Sequence, residues 1–364
     1  LPFQGEPGAN NAITDVPGVL VGFATIDRER DGLSVGEGPV HSGVTAILPR
    51  GRRDALSPVW AGHFNLNGNG ELTGTHWIHD AGYFTSPICL TNTHAVGIAH
   101  HATVKWMIRQ YPAFRLDHAW AMPVIGETYD GLTSDICGMH VTEAHVFAAL
   151  DSASAGPVEE GNVGGGTGML TYEFKGGTGT ASRLVDIGNR DYTVAALVQS
   201  NFGSRKDLTI LGVPVGREWP QDAPLTAMSQ PDTGSIIVII GTDLPLLPQQ
   251  LRRLAKRGAM GIARTGAPGG HYSGDIMLAF SVANDVGLPG LTAAEQPARY
   301  AMEYINDHFF DGIYDAVVQS VEEAIINALV AARPLPIIKP PGYSAVAIDH
   351  RRLQDLMRRF GRLA

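Results

Sequence analysis

The pair in this chain best suited to covalent chemistry is Gly234-Ser235, a serine placed directly before the apolar run Ile236 to Ile240. An unhindered glycine carbonyl beside a hydroxyl permits an internal acyl shift. The hydroxyl attacks the preceding carbonyl, the amide becomes an ester, and water then releases a new amino-terminal serine. Such a serine carries its own base, because an α-amino group titrates near ~8 while a lysine ammonium needs about 10. Taken alone, the dipeptide reads equally as an ordinary turn entering a buried strand.

Four polar clusters stand near apolar runs that could hold them in place. In the first, Gly126 to Gly131, Glu127 and Tyr129 lie two residues apart at the end of a short apolar run. A carboxylate and a phenol in that position can hold an ammonium and donate to developing charge; a capped turn is the plainer alternative. The second is glycine-rich, Gly164 to Met169 followed by Phe174 to Thr180. Lys175 precedes its glycines, so the phosphate-cradling order of glycine, lysine and hydroxyl is missing. Glycine backbone lining a narrow cleft is the reading adopted for it. In the third, Asn201 closes a strand-like run, and its amide can donate to an oxyanion. The fourth contains Ser273 and Asp275, which share a face if extended and can form a hydrogen-bonded relay. The histidines form no His-Glu-x-x-His pattern and the two cysteines lie far apart, which leaves the chemistry without a metal.

These groups need a scaffold, and the composition supplies one. Among 364 residues, 44% are apolar and 17% charged, enough for a large core. The net charge of −9, with no long basic block, argues against a nucleic-acid partner. No run is long and apolar enough to span a membrane. Two cysteines make no disulfide framework, and cytoplasm is the favoured compartment; a removed leader ahead of Leu1 would shift it to the periplasm.

A turn feeding a short strand is expected over 13–22, and further strands near 43–49, 193–199, 236–240 and 275–282. Helices are expected over 139–150, over 248–257 with Gly258 as the stop, over 298–332 with a break near Gly312, and over 349–363. The last carries Leu353, Leu356, Met357 and Phe360 as its apolar stripe, reading as a docking helix with a solvated basic face. The stretch 334–341 is the most linker-like. Alternating strands and helices on both sides of Ser235 imply one layered α/β unit, with any cut falling inside it.

Taken in order, these blocks resemble the DmpA-type aminopeptidases, which comprise the L-aminopeptidase/D-esterase and the β-peptidyl aminopeptidases. The matching blocks are Thr14 to Val19, Gly68 to Gly74, Leu90 to His94, Gly126 to Gly131, Gly164 to Gly168, Phe174 to Gly179, Val198 to Asn201, Gly234-Ser235 and Ser273 to Asp275. They cover nearly the whole chain. The resemblance implies a four-layer αββα sandwich and autocleavage between Gly234 and Ser235. The fragments 1–234 and 235–364 would stay together as one αββα domain and assemble as a tetramer of such pairs. It implies Ser235 as nucleophile, Asn201 as oxyanion donor and Ser273 with Asp275 as relay. Glu127 would hold the substrate's ammonium, Tyr129 would be a neighbouring phenol, and no cofactor is called for. Some members carry Glu where this chain has Asp275. Relatives with a threonine nucleophile are disfavoured by Ser235. The reaction expected is removal of the first residue from short peptides, β-alanyl substrates first and L-aminopeptidase/D-alanine esterase activity second. A nucleotide- or phosphate-binding protein that keeps Gly234-Ser235 intact is the reading from another class.

Overall fold

The computed structural model describes residues 1–53, 56–116, 119–229, 234–286 and 298–363. Its strands are β1 (Leu20–Arg28), β2 (Val40–Leu48), β3 (Val59–Asn65), β4 (Tyr83–Phe84), β5 (Ile88–Asn92), β6 (Val124–Thr128), β7 (Leu170–Thr171) and β8 (Phe174–Lys175). They continue with β9 (Gly177–Asp186), β10 (Asp191–Asn201), β11 (Ser235–Thr242), β12 (Gly274–Ser281), β13 (Leu335–Ile337) and β14 (Tyr343–Ala345). The helices are α1 (Thr75–Ala81), α2 (Val96–Gln110), α3 (Ala113–Leu116), α4 (Glu143–Ser152), α5 (Val215–Glu218), α6 (Pro224–Ala227), α7 (Pro248–Arg264), α8 (Phe310–Val330) and α9 (His350–Arg359).

Two sheets carry the architecture. One is ordered β1-β2-β5-β6 and the other β4-β3-β12-β11-β10-β9. Alternation along each strand sends one set of side chains between the sheets and the other set outward. In β11, Ile237 and Ile239 join Leu90, Val124 and Leu278 in the layer between the sheets, while Ile236, Val238 and Ile240 face the helix side. Because β11 is apolar on both faces, it is buried on both, as a central strand must be. Helices α7 and α8 cover the six-stranded sheet, and α2 and α4 cover the four-stranded one. The result is the αββα sandwich that the resemblance implied.

Several boundaries differ from the sequence reading, each for a packing reason. Helix α7 runs past Gly258 to Arg264. A Cβ on Gly258 would meet Met277 Cγ at 2.8 Å, and one on Gly261 would meet Val321 Cβ at 2.6 Å. Both glycines are therefore close-approach points of α7 against β12 and α8, and neither is a stop. Residues 298–306 are not helical; α8 begins at Phe310 and continues unbroken through Gly312. Helix α4 begins only at Glu143. The stretch read as a linker instead contributes β13, paired antiparallel with β14. Helix α9 docks as expected through Leu353, Leu356 and Met357, but Phe360 lies beyond its end and stays exposed.

The glycine-rich segment is also corrected. Gly164 to Gly166 form a buried 3-10 turn wedged into the fold, where a Cβ on Gly165 would stand 2.0 Å from Gln199 Oε1. These glycines meet protein, not a cleft. Lys175 is fully buried and its Nζ donates to the carbonyls of Met169 (2.9 Å), Gly176 (2.7 Å) and Gly166 (3.4 Å). It holds the loop together and presents no ammonium to a phosphate.

Candidate active site

Strand register builds the site. Asn201 of β10 pairs with Ser235 of β11, and Ser235 pairs with Gly274 of β12, so the three lie in a row across adjoining strands. The row occupies one end of β11, where the apolar run gives way to Gly234. That glycine is required: a Cβ there would stand 2.1 Å from the Asn201 carbonyl oxygen. The Gly274 N–H lies 3.2 Å from Ser235 Oγ and 3.2 Å from the Gly234 carbonyl oxygen. One donor is thus shared between a hydroxyl and the carbonyl that precedes it, and Ser235 is itself buried.

The fourth cluster adjoins this row. Ser273 Oγ donates to Asp275 Oδ1 at 2.5 Å, and Asn67 Nδ2 donates to Asp275 Oδ2 at 3.1 Å. Both members are almost fully buried, so the carboxylate is oriented by neighbours rather than by water. The extended geometry anticipated for residues 273 to 275 is the geometry found.

Asn201 links the two sheets. Its Oδ1 accepts from the Leu170 N–H at 2.8 Å, which fixes the amide's orientation, and its Nδ2 donates to the Tyr129 carbonyl at 3.0 Å. One Nδ2 hydrogen is committed there, leaving the second as a donor. Two residues before Asn201, Gln199 Nε2 donates to Thr128 Oγ1 and to the Thr91 carbonyl, both at 2.8 Å. These cross-sheet bonds draw the end of β6, with Glu127 and Tyr129, over the serine row.

Glu127 is buried and accepts from Thr93 Oγ1 and, at 3.0 Å, from the Glu71 N–H. Burial pushes its carboxyl above the usual range, with these two bonds opposing the shift. A buried carboxylate with spare lone pairs is a strong seat for a cation. Its link to the serine row runs through two glycines. A Cβ built on Gly70 would stand 3.2 Å from Glu127 Oε1 and 3.4 Å from Gly274 Cα. Tyr129 is half exposed, and its hydroxyl lies over Gly131. Burial of the ring raises its pKa. The next residue, Asp130, is fully buried and pushed up to about 7 by desolvation; it accepts from Asn92 Nδ2 at 3.0 Å.

All seven residues singled out from the sequence therefore meet at one end of the two sheets. Sequence reasoning missed the groups that hold them: Thr93, Asn67, Leu170 and the backbone N–H groups of Gly274 and Glu71. Thr93 sat inside a recognised block, Leu90 to His94, and a hydroxyl there was a usable signal. The backbone donors leave no trace in side-chain types.

Comparison with known proteins identifies the family. The model of peptidase family S58 matches residues 11–339. The chain belongs to peptidase family S58. Within S58, it is 45% identical to the β-peptidyl aminopeptidase BapA of Sphingosinicella microcystinivorans, over 100% of this chain and 92% of that one. Among solved structures, it is 51% identical to the L-aminopeptidase D-Ala-esterase/amidase of Ochrobactrum anthropi. The TM-score is 0.93, with 100% of this chain and 98% of that one covered, and that enzyme is described as a prototype serine aminopeptidase with a variant Ntn-hydrolase fold. A Burkholderia sp. β-aminopeptidase is 44% identical, with a TM-score of 0.87 over 98% and 96% of the two chains. This S58 protein is accordingly a hydrolase of the aminopeptidase type, with the α/β sandwich of its relatives. Among the described residues, no helix is long and apolar enough to cross a membrane.

Proposed function

We propose that this protein cuts itself between Gly234 and Ser235 and then removes β-aminoacyl residues from the amino terminus of short peptides and amides. The observation that carries the reading is the Gly274 N–H shared between Ser235 Oγ and the Gly234 carbonyl. A donor shared in this way supports attack of the hydroxyl on that carbonyl, since it would polarise the carbonyl as the hydroxyl approaches.

In self-cleavage, Ser235 Oγ bonds to the Gly234 carbonyl carbon and the C–N bond breaks. The hydroxyl proton passes to the departing Ser235 nitrogen, leaving an ester with a free α-amino group. Water then hydrolyses the ester, giving a Gly234 carboxylate and restoring the hydroxyl. In turnover, Glu127 seats the substrate's ammonium and so fixes which carbonyl reaches Ser235. The Ser235 α-amino group takes the hydroxyl proton and returns it to the leaving amine, while Ser273 and Asp275 orient the exchange. The free Nδ2 hydrogen of Asn201 and the Gly274 N–H steady the oxyanion, and Tyr129 borders the same space. Water releases the acyl group from Ser235.

The β-aminoacyl preference is supported by likeness to two β-aminopeptidases over nearly the whole chain. The greater identity to the L-aminopeptidase D-Ala-esterase/amidase favours a second reading, α-aminoacyl substrates on the same machinery. We further infer that the two fragments stay associated, since β11 lies between β10 and β12, and that such pairs assemble as a tetramer, as the resemblance implies. Two free cysteines, Cys89 and Cys137, support a reducing compartment such as the cytoplasm.

Intact mass and a denaturing gel test the core of this proposal. Purified protein should give two fragments, the smaller beginning at Ser235, and Ser235→Ala should stay whole and inactive. An uncut, active wild-type chain overturns it. Rates on matched β-alanyl and L-alanyl anilides then decide between the two substrate classes.

A further inference from the structure

Beside the serine row lies a cavity of about 560 Å³, bordered by Gly234, Asn201 and Tyr129. Glu127 does not line it; that carboxylate sits behind Gly70 and Gly274. In a β-aminoacyl substrate only two carbons separate the ammonium from the carbonyl. With the ammonium at Glu127 and the carbonyl at Ser235, the cavity falls to whatever lies beyond the scissile bond.

Its walls are mostly apolar, with Leu132, Leu170, Phe202, Leu225 and Met228 among them, and Lys339 stands at its rim. The backbone of that rim is fixed, since the Ile338 N–H donates to the Leu132 carbonyl at 2.8 Å. Among the described residues, the Lys339 ammonium has no hydrogen-bond or ion-pair partner. The other charged residue of the lining, Glu173, is buried and already committed. It accepts from the Arg205 N–H (2.9 Å), the Thr226 N–H (2.8 Å) and Thr226 Oγ1 (2.7 Å). An apolar chamber with one uncommitted cation at its edge fits an amino acid whose carboxylate is free.

The wall that carries Leu225 and Met228 belongs to the arm leading to Gly234, so it has to persist once the chain is cut. Buried Arg205 donates to the carbonyls of Trp219 (3.2 Å), Gln221 (2.6 Å) and Asp222 (3.1 Å), and Glu173 grips Thr226. Glu173 holds this grip from the left-handed backbone region at φ 62, a conformation that non-glycine residues avoid. These bonds lie upstream of the scissile peptide and do not depend on it.

We propose that this cavity receives the residue released from the substrate, an α-amino acid with an apolar side chain, and that Lys339 binds its α-carboxylate. The inference rests on the aminopeptidase reading and narrows it to β-aminoacyl dipeptides. The experiment compares β-alanyl-leucine with β-alanyl-leucinamide on processed enzyme, with β-alanyl anilide turnover confirming that each preparation is active. The wild type should favour the acid over the amide at least tenfold in kcat/KM. Lys339→Met should bring that ratio near one, through KM of the acid rather than kcat, and Lys339→Arg should restore it. Met228→Ala should raise KM for β-alanyl-leucine more than for β-alanyl-glycine. A wild-type ratio near one, or a ratio unmoved by Lys339→Met, overturns the assignment. Failure of the parent reading looks different, since anilide turnover would then be absent or would survive Ser235→Ala.

Discussion

Replacing Asn201 by aspartate keeps the shape of the side chain and reverses what it offers. One oxygen still accepts from the Leu170 N–H, now at 2.8 Å. The atom 3.0 Å from the Tyr129 carbonyl changes from a donor to an acceptor, so that cross-sheet bond becomes a repulsive pair. The second Nδ2 hydrogen, the one available to an oxyanion, disappears as well. Losing one such donor removes about 2.7–4 kcal/mol of transition-state stabilisation, or roughly 10²–10³ in kcat. A carboxylate facing a developing oxyanion adds to that loss, so Asn201→Asp should lower kcat by about 10³ or more. KM should move far less, because the donor acts on the oxyanion and not on the ground-state carbonyl. Self-cleavage should be slowed less than turnover, because the Gly274 N–H already donates to the Gly234 carbonyl. The assay is kcat and KM on β-alanyl anilide for the fully processed variant, with a gel time course for processing. A kcat within threefold of the wild type, in protein shown by mass to carry the substitution, refutes Asn201 as the oxyanion donor.

Three further outcomes follow from the same geometry. Burial raises the Glu127 pKa, and the ammonium seat needs the ionised form; kcat/KM should therefore fall as pH drops through that raised value, and Thr93→Val, which removes an opposing hydrogen bond, should move the acid limb upward in a pH–rate profile. Asp130 keeps its proton to about pH 7 in the folded chain, whereas the unfolded chain releases it near ~4. The folded state binds more protons in that interval, so stability declines as pH rises from about 4 to about 7. Asp130→Asn removes the decline, and its Tm relative to the wild type should be higher at pH 8 than at pH 5. In α7, Gly261→Ala forces a methyl against the branched Val321 Cβ and, at 3.0 Å, the Val318 backbone carbonyl. Gly258→Ala instead crowds Met277 Cγ at 2.8 Å, an unbranched side chain that gives more readily than backbone, and meets Ile240 Cδ1 at an ordinary 3.6 Å. Overpacking costs ~1–3 kcal/mol against a helix-propensity gain of ~1 kcal/mol. Urea unfolding should therefore rank Gly261→Ala clearly below Gly258→Ala.

Residue types alone determined much of this protein. Gly234-Ser235 before an apolar run, the spacing of Ser273 and Asp275, and the polar ends of two strands are local facts, and short continuous apolar runs sufficed to mark β10, β11 and β12. Tertiary structure decided what local signals cannot carry. Gly258 looks like a helix stop, yet β12 needs it bare so that α7 can approach, and packing overrides the local preference. The glycines at 164 to 166 read as the lining of a narrow cleft, and neighbouring strands fill the space instead. Strand pairing set Asn201, Ser235 and Gly274 in one row, because register is fixed by which faces are buried across the whole sheet. The Gly274 N–H shows the division most clearly. Every residue except proline carries that donor, and only the fold aims this one at Ser235.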